Sequence, residues 1–344
     1  MSSPFRSSLL KEYLIRYLVN ILGSLLLVAV LLYLLDIRQI ADSFSKIRPD
    51  SIYLACLLSA FVSVLASIRW WFFVKAARFP HGVWLSVRIR LVAQLLNMIV
   101  PSGVVGDGFQ VFLVSRRPRL SGALTLATIL SDRLMAVITV VFMLLGSAWL
   151  LEDDMADIVY RLVMICGAGF GVFLAIAYFL QNSQFARSSK RLGNIIHFLA
   201  DTVRSVSSFR KAYFQLTGAF ALAVLGVLGN TAIAWALLSG LAEVQFWQLV
   251  PVFCLVMLSS MVPATFSGIG IREWVFFSSL SANGLSLEDS VVLSLSLFGA
   301  QVATTFVLAV LANARSIYRG QTKFILQSLI NGRRPKPASD LKSG

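Results

Sequence analysis

The sequence predicts an all-α polytopic membrane protein with almost no mass outside the bilayer. Three observations carry this. Of 344 residues, 58% are hydrophobic and 13% charged, with a mean hydropathy of +0.80, whereas soluble domains run near half apolar and a quarter charged. The apolar residues come in blocks long enough to cross hydrocarbon, which takes about 20 helical residues. The net charge of +14 collects between those blocks, as the positive-inside rule distributes it. Nucleic-acid binding is not expected, because no groove-reading module or aromatic stacking motif accompanies the charge.

The first block, 17–35, follows Arg6, Lys11 and Arg16 and so has the outline of a signal peptide. It is too long for one, and Asp36-Ile37-Arg38 is no small-residue cleavage site; a permanent span is expected. Further spans are expected at about 52–73, 122–150, 158–180, 214–240 and 288–313. Two other apolar stretches, about 84–115 and 247–280, are broken in the middle by Pro and Gly.

Charge sets the expected sidedness. The N-terminus, the 69–90 region (Arg69, Lys75, Arg78, Arg88, Arg90), Arg116-Arg117, the 181–213 loop and the tail read as cytoplasmic. The charge-balanced 36–51 segment, acidic Glu152-Asp153-Asp154 and the turns near Glu243 and Glu288-Asp289 read as outside. The 84–115 stretch then has cytoplasmic flanks on both sides and 247–280 has outside flanks on both. Each must enter and leave by one face. The expectation is about six full spans plus two re-entrant helical hairpins dipping in from opposite sides.

An internal match supports that parity. The first hairpin turns at Val100-Pro101-Ser102-Gly103-Val104-Val105-Gly106-Asp107-Gly108 and the second at Val262-Pro263-Ala264-Thr265-Phe266-Ser267-Gly268-Ile269-Gly270. Both read V-P-x-x-x-x-G-x-G, with Pro263 and Gly268 each 162 residues after Pro101 and Gly106. Span, span, hairpin, span recurs in halves of about 17–150 and 158–313, the inverted-repeat logic of many transporters. One integral membrane domain, 1–320, is expected, followed by a basic, disordered cytoplasmic tail, 321–344. Broken backbone at membrane depth persists only when buried in protein or lining a wet cavity; a simple kink at each site is the plainer alternative.

Ionisable residues inside spans mark candidate sites. Asp107 lies in the first turn, Asp132 and Arg133 about ten residues into their span, Arg272 and Glu273 just after the second turn. In one reading these are structural ion pairs, Asp132 with Arg272 or Arg133 with Glu273. In the other, Arg133 and Arg272 face a phosphate, Gly268 and Gly270 let a headgroup approach the backbone, and the helix starting near Gly270 adds N–H donors. Asp107, Asp132 and Glu273 would then tune charge or meet a cationic headgroup. Gln94 and Asn97 share a helix face before the first turn and Gln110 follows it; interhelical hydrogen bonding and cavity lining both remain open. Trp70, Trp71, Trp84, Trp149 and Trp247 fit an aromatic belt.

No metal site is expected: Cys56, Cys166 and Cys254 sit singly in apolar blocks, and His81 and His197 are lone. No nucleophile elbow, Walker loop or catalytic carboxylate pair is found, so neither an enzyme nor a cofactor is expected.

The residues also carry a family resemblance over about 15–320. Asn97 with Pro101 and Gly106-Asp107, the pair Asp132-Arg133, and Pro263 with Gly268-Ile269-Gly270-Ile271-Arg272-Glu273 resemble three elements of the flippase-like membrane domain of lysylphosphatidylglycerol synthases. The chain departs from that pattern at Gln110, where the family usually carries Arg, and at Ala136, where it usually carries an acid. The soluble aminoacyl-transferase domain is not read in this sequence, so a stand-alone relative is expected and synthesis of lysylphosphatidylglycerol is not implied. The resemblance implies movement or handling of a lipid with an anionic or modified headgroup; the expected location is the cell (plasma or inner) membrane, with both termini cytoplasmic by the charge pattern. The alternatives are a membrane subunit partnering a lipid- or glycan-biosynthetic enzyme, and a membrane scaffold. The lipid and the oligomeric state are not legible.

Overall fold

A computed structural model describes residues 37–80, 82–100, 105–115, 122–147, 212–260 and 270–318. The expected spans 17–35 and 158–180, the 181–211 part of the basic loop and the tail beyond 318 lie outside the described residues. So do both Pro-containing turns, 101–104 and 261–269.

All regular structure among the described residues is helical. An interfacial-length helix α1 (Ile37–Lys46) leads directly into α2 (Pro49–Ala76). Then come α3 (Val83–Ile99), α4 (Val105–Ser115) and α5 (Gly122–Ser147). The second half holds α6 (Tyr213–Leu238), α7 (Phe246–Ser259), α8 (Ile271–Leu280) and α9 (Leu287–Tyr318). Helices α2, α5, α6 and residues 287–314 of α9 are long and apolar enough to cross a membrane. They match four of the expected spans, and the chain is an all-α polytopic membrane protein. The 36–51 segment, read from the sequence only for its balanced charge, holds α1 and the first turn of α2.

Local sequence explains where the helices begin and end. Pro49 opens α2, where its missing N–H costs nothing and its φ is pre-set, and Asp50 complements the dipole. Arg78 ends it with a φ of 56°, the left-handed conformation that closes helices. Val100 is extended after α3, with φ −94° and ψ 125°, as the clash with the following Pro101 ring demands.

The four intermediate helices are too short to span. At 1.5 Å per residue α3, α4, α7 and α8 reach about 25, 16, 21 and 15 Å, against about 30 Å of hydrocarbon. They pair across the two breaks, α3 on α4 and α7 on α8. In the first pair the approach is close: a Cβ on Gly106 would collide with the Ala93 carbonyl and the Asn97 side chain. In the second, Phe253 and Phe276 meet with ring centroids 6.4 Å apart.

The core follows the same division. Trp70, Val74, Phe79, Ile89, Val114 and Ile129 join α2 to the first pair and α5. A larger cluster including Ile233, Leu249, Phe253, Phe276 and Val292 joins α6 to the second pair and α9. The two halves meet mainly along α2 and α6, where Ala55 clusters with Ile233 and Ala234 and where Gly218 and Gly229 lie against Phe72 and Val62, small residues that let membrane helices approach. Tyr53, Leu57, Phe61, Phe142, Phe306 and Leu311 are exposed on the outside, which suits contact with lipid tails. Trp84 and Trp247 are exposed as an aromatic belt requires, but Trp70 is buried and donates to Thr128 Oγ1 at 3.2 Å; it is a core residue.

Candidate functional site

Between the two halves lies a cavity of about 420 Å³. Its most distinctive feature is four guanidinium groups, Arg69 on α2, Arg90 on α3, Arg133 on α5 and Arg272 on α8. Charge at this depth is costly unless paired, and each arginine has a carboxylate beside it. The carboxylates sit on the protein side: among the described residues none lines the cavity.

Asp132, fully buried on α5, accepts from Arg69 Nε at 2.7 Å and from Arg90 Nη2 at 2.8 Å. One acid thus pins α2 and α3 to α5. The adjacent Arg133 points differently and donates through Nε to Asp107 Oδ2 at 2.8 Å. Asp107 is positioned in turn by Asn97, whose Nδ2 donates to Oδ1 at 3.1 Å. The same amide's Oδ1 accepts the Gly106 N–H at 2.7 Å. Asn97 therefore ties α3 to the start of α4 and aims the acid at Arg133.

The second half uses a hydroxyl as intermediary. Arg272 donates through Nε to Ser294 Oγ at 2.6 Å, and its Nη2 reaches the Ser294 carbonyl at 3.3 Å. The Ser294 hydroxyl donates to Glu273, which lies 3.8 Å from Arg272. Glu273 also accepts the Gly270 N–H, capping its own helix. Gly270 has a φ of 92°, a conformation closed to most side chains.

Two aspects of this geometry correct the sequence reading. The ion pairs are not Asp132 with Arg272 or Arg133 with Glu273; each half of the molecule satisfies its own acids, because neighbouring helices bring closer partners. The first N–H at the start of α8 is taken by Glu273, whose charge also offsets the helix dipole there. The candidate anion contact in that half is the Arg272 side chain.

Of the remaining expected residues, Gln94 lines the cavity and donates to Ser63 Oγ at 3.3 Å. Asn97, Asp107, Asp132 and Glu273 stand behind the lining. Gln110 is fully buried, outside the lining, and neither amide atom has a hydrogen-bond partner among the described residues. Gly268 lies outside the described residues.

Residues not anticipated are Arg69 and Arg90, read from the sequence as cytoplasmic loop charges, and the Gln301–Asn230 pair on α9 and α6, joined at 3.0 Å. A signal existed for the arginines: position 69 falls inside the expected 52–73 span and position 90 inside the 84–115 stretch. Four arginines against Asp107, Asp132 and Glu273 leave this cluster one positive charge in excess. Among the described residues no three His, Cys, Asp or Glu side chains group to hold a metal.

Comparison with known proteins identifies one family model, described as the lysylphosphatidylglycerol synthase TM region, which matches residues 18–310. No curated protein matches, and neither does any solved structure.

Proposed function

Because the chain belongs to the family of the lysylphosphatidylglycerol synthase transmembrane region, we propose that it is a flippase-like transporter that carries a phospholipid or lipid-linked headgroup across the membrane and has no catalytic activity of its own. The observation that carries this reading is a cavity faced by Arg69, Arg90, Arg133 and Arg272 together, with their carboxylates withdrawn behind them. Guanidinium forks match phosphate oxygens in geometry and charge.

In this reading the two short-helix pairs are re-entrant hairpins entering from opposite faces, and the halves are inverted repeats. The order of long helix, short pair, long helix in both halves supports it. Arg69, Arg90 and Arg133 belong to the first half and Arg272 to the second. Rocking of one half against the other would pass a phosphate between them while acyl chains stay in the bilayer, the general scheme of repeat-built transporters. Both termini face the cytoplasm of a cell membrane, a placement supported by Lys75, Arg78 and Arg88 near one end of the bundle.

The test is lipid movement in proteoliposomes. Purified protein is reconstituted with acyl-labelled lipids, and label accessible to a membrane-impermeant reductant is followed over time. Wild type is expected to speed transbilayer exchange, and Arg133→Ala and Arg272→Ala to abolish it while remaining folded. Exchange at the protein-free rate for every lipid would remove the transport reading.

A further inference from the structure

The lining of the cavity divides by chemistry. One part is cationic and donates only: Arg69, Arg90, Arg133 and Arg272, since a guanidinium has no acceptor. Another part is neutral and can accept or exchange hydrogen bonds: Ser59, Ser63, Gln94, Asn230, Ser260 and Gln301. Three buried atoms of these lining residues have no hydrogen-bond partner among the described residues: Arg90 Nε, Gln94 Oε1 and Ser59 Oγ. Buried polar atoms are rarely left unpaired, and each such group calls for a partner. A guanidinium N–H calls for an anionic acceptor. An amide oxygen calls for a donor and a serine hydroxyl for a donor or an acceptor, and an alcohol supplies both.

What the lining lacks matters equally. Asp107, Asp132 and Glu273 are 6%, 0% and 2% exposed, and each already accepts from a neighbouring group. An ammonium placed in the cavity would face four guanidinium groups, one positive charge in excess of their carboxylates, and among the described residues no carboxylate lines the wall to receive it. The expectation that these acids could receive a cationic headgroup therefore finds no support in their placement.

We propose that the headgroup taken by this site is a phosphodiester joined to a neutral polyol or sugar, and that ammonium-bearing headgroups are disfavoured. The phosphate sits among the guanidinium groups, and the hydroxyls of the polyol reach Gln94 and Ser59. The volume of about 420 Å³ lies within the range of about 300–1,000 Å³ typical of small-molecule sites. This deepens the transport reading and rests on it for the identity of the cavity as the substrate site, but its test is a binding measurement and stands apart from transport.

Full-length protein in detergent is presented with equimolar phosphatidylglycerol, phosphatidylinositol, phosphatidylethanolamine and lysyl-phosphatidylglycerol of identical acyl chains, and bound lipid is counted by native mass spectrometry. The two polyol lipids are expected to bind at least about tenfold more tightly than the two ammonium lipids, a difference well within the reach of one charge-assisted contact. Arg133→Gln should weaken polyol-lipid binding by about tenfold, and Gln94→Leu should narrow the preference for the polyol lipids, with thermal melting reporting that both variants fold. Equal or tighter binding of either ammonium lipid overturns the proposal, as does the absence of lipid binding. A preference unchanged in both variants assigns the lipid to the outer surface and overturns it too. The expected preference without movement in proteoliposomes removes the transport reading and keeps the headgroup class; movement of all four lipids with no binding preference does the reverse.

Discussion

Arg69 Nε lies 2.7 Å from Asp132 Oδ1 although the two residues sit on different spans, and Arg90 holds the other oxygen of the same carboxylate at 2.8 Å. One fully buried acid thus serves two arginines, and removing it leaves two like charges side by side with little access to water. Asp132→Asn is expected to destabilise the protein by about 3–5 kcal/mol, the usual cost of breaking a buried pair from one side. Thermal unfolding in detergent measures this. A melting temperature equal to wild type would show that the triad contributes nothing to the fold.

Two glycines in α4, two residues apart, should behave oppositely. Gly106→Ala places a methyl against the Ala93 backbone carbonyl and Asn97, while a Cβ at Gly108 meets nothing within 4 Å. Forcing α3 and α4 apart is expected to cost about 1–3 kcal/mol, as overpacking does, and to displace Asp107 from Arg133. Gly108→Ala should be neutral or gain up to about 1 kcal/mol from helix propensity. Equal melting temperatures for the two variants would argue against the close α3–α4 contact.

Gly270→Ala is expected to cost about 1–2 kcal/mol, because a Cβ disfavours the positive φ at the start of α8. It should also shift Arg272, two residues on, and so lower lipid movement more than stability alone accounts for. The check is transport per folded molecule. A proportional fall in both quantities would reduce Gly270 to a purely structural role.

Ser294 joins Arg272 to Glu273. Ser294→Ala should cost about 1–3 kcal/mol, the penalty for leaving buried polar groups unsatisfied. Ser294→Thr, which keeps the hydroxyl, should recover most of it. Failure of threonine to outperform alanine would show that shape, not hydrogen bonding, matters there.

Much of the fold was legible because its cause is local. Four expected spans coincide with α2, α5, α6 and α9 within a few residues, since a run of apolar side chains in lipid must be helical to satisfy its backbone. The breaks after Ile99 and Ser259 were legible for the same reason, from Pro and Gly at membrane depth. Helix α1 was not legible, because charge balance does not distinguish a helix from a loop. Trp70 was misassigned because position near a span end does not reveal which way a ring faces.

The candidate site was legible in part. Asp107, Asp132, Arg133, Arg272 and Glu273 stood out because a charge in hydrocarbon is conspicuous by itself. Arg69 and Arg90 did not, because an arginine near a span end is ordinarily a loop charge. Only packing shows that both turn inward to Asp132.

The sequence by itself determined the membrane class, four of the spans, the two matched breaks and the family, because each follows from composition, periodicity or short motifs along the chain. The tertiary structure alone decided which arginine meets which acid and that the carboxylates stand behind the cavity wall. Those outcomes depend on distances of about 3 Å between helices far apart in the chain, and no local pattern encodes such distances.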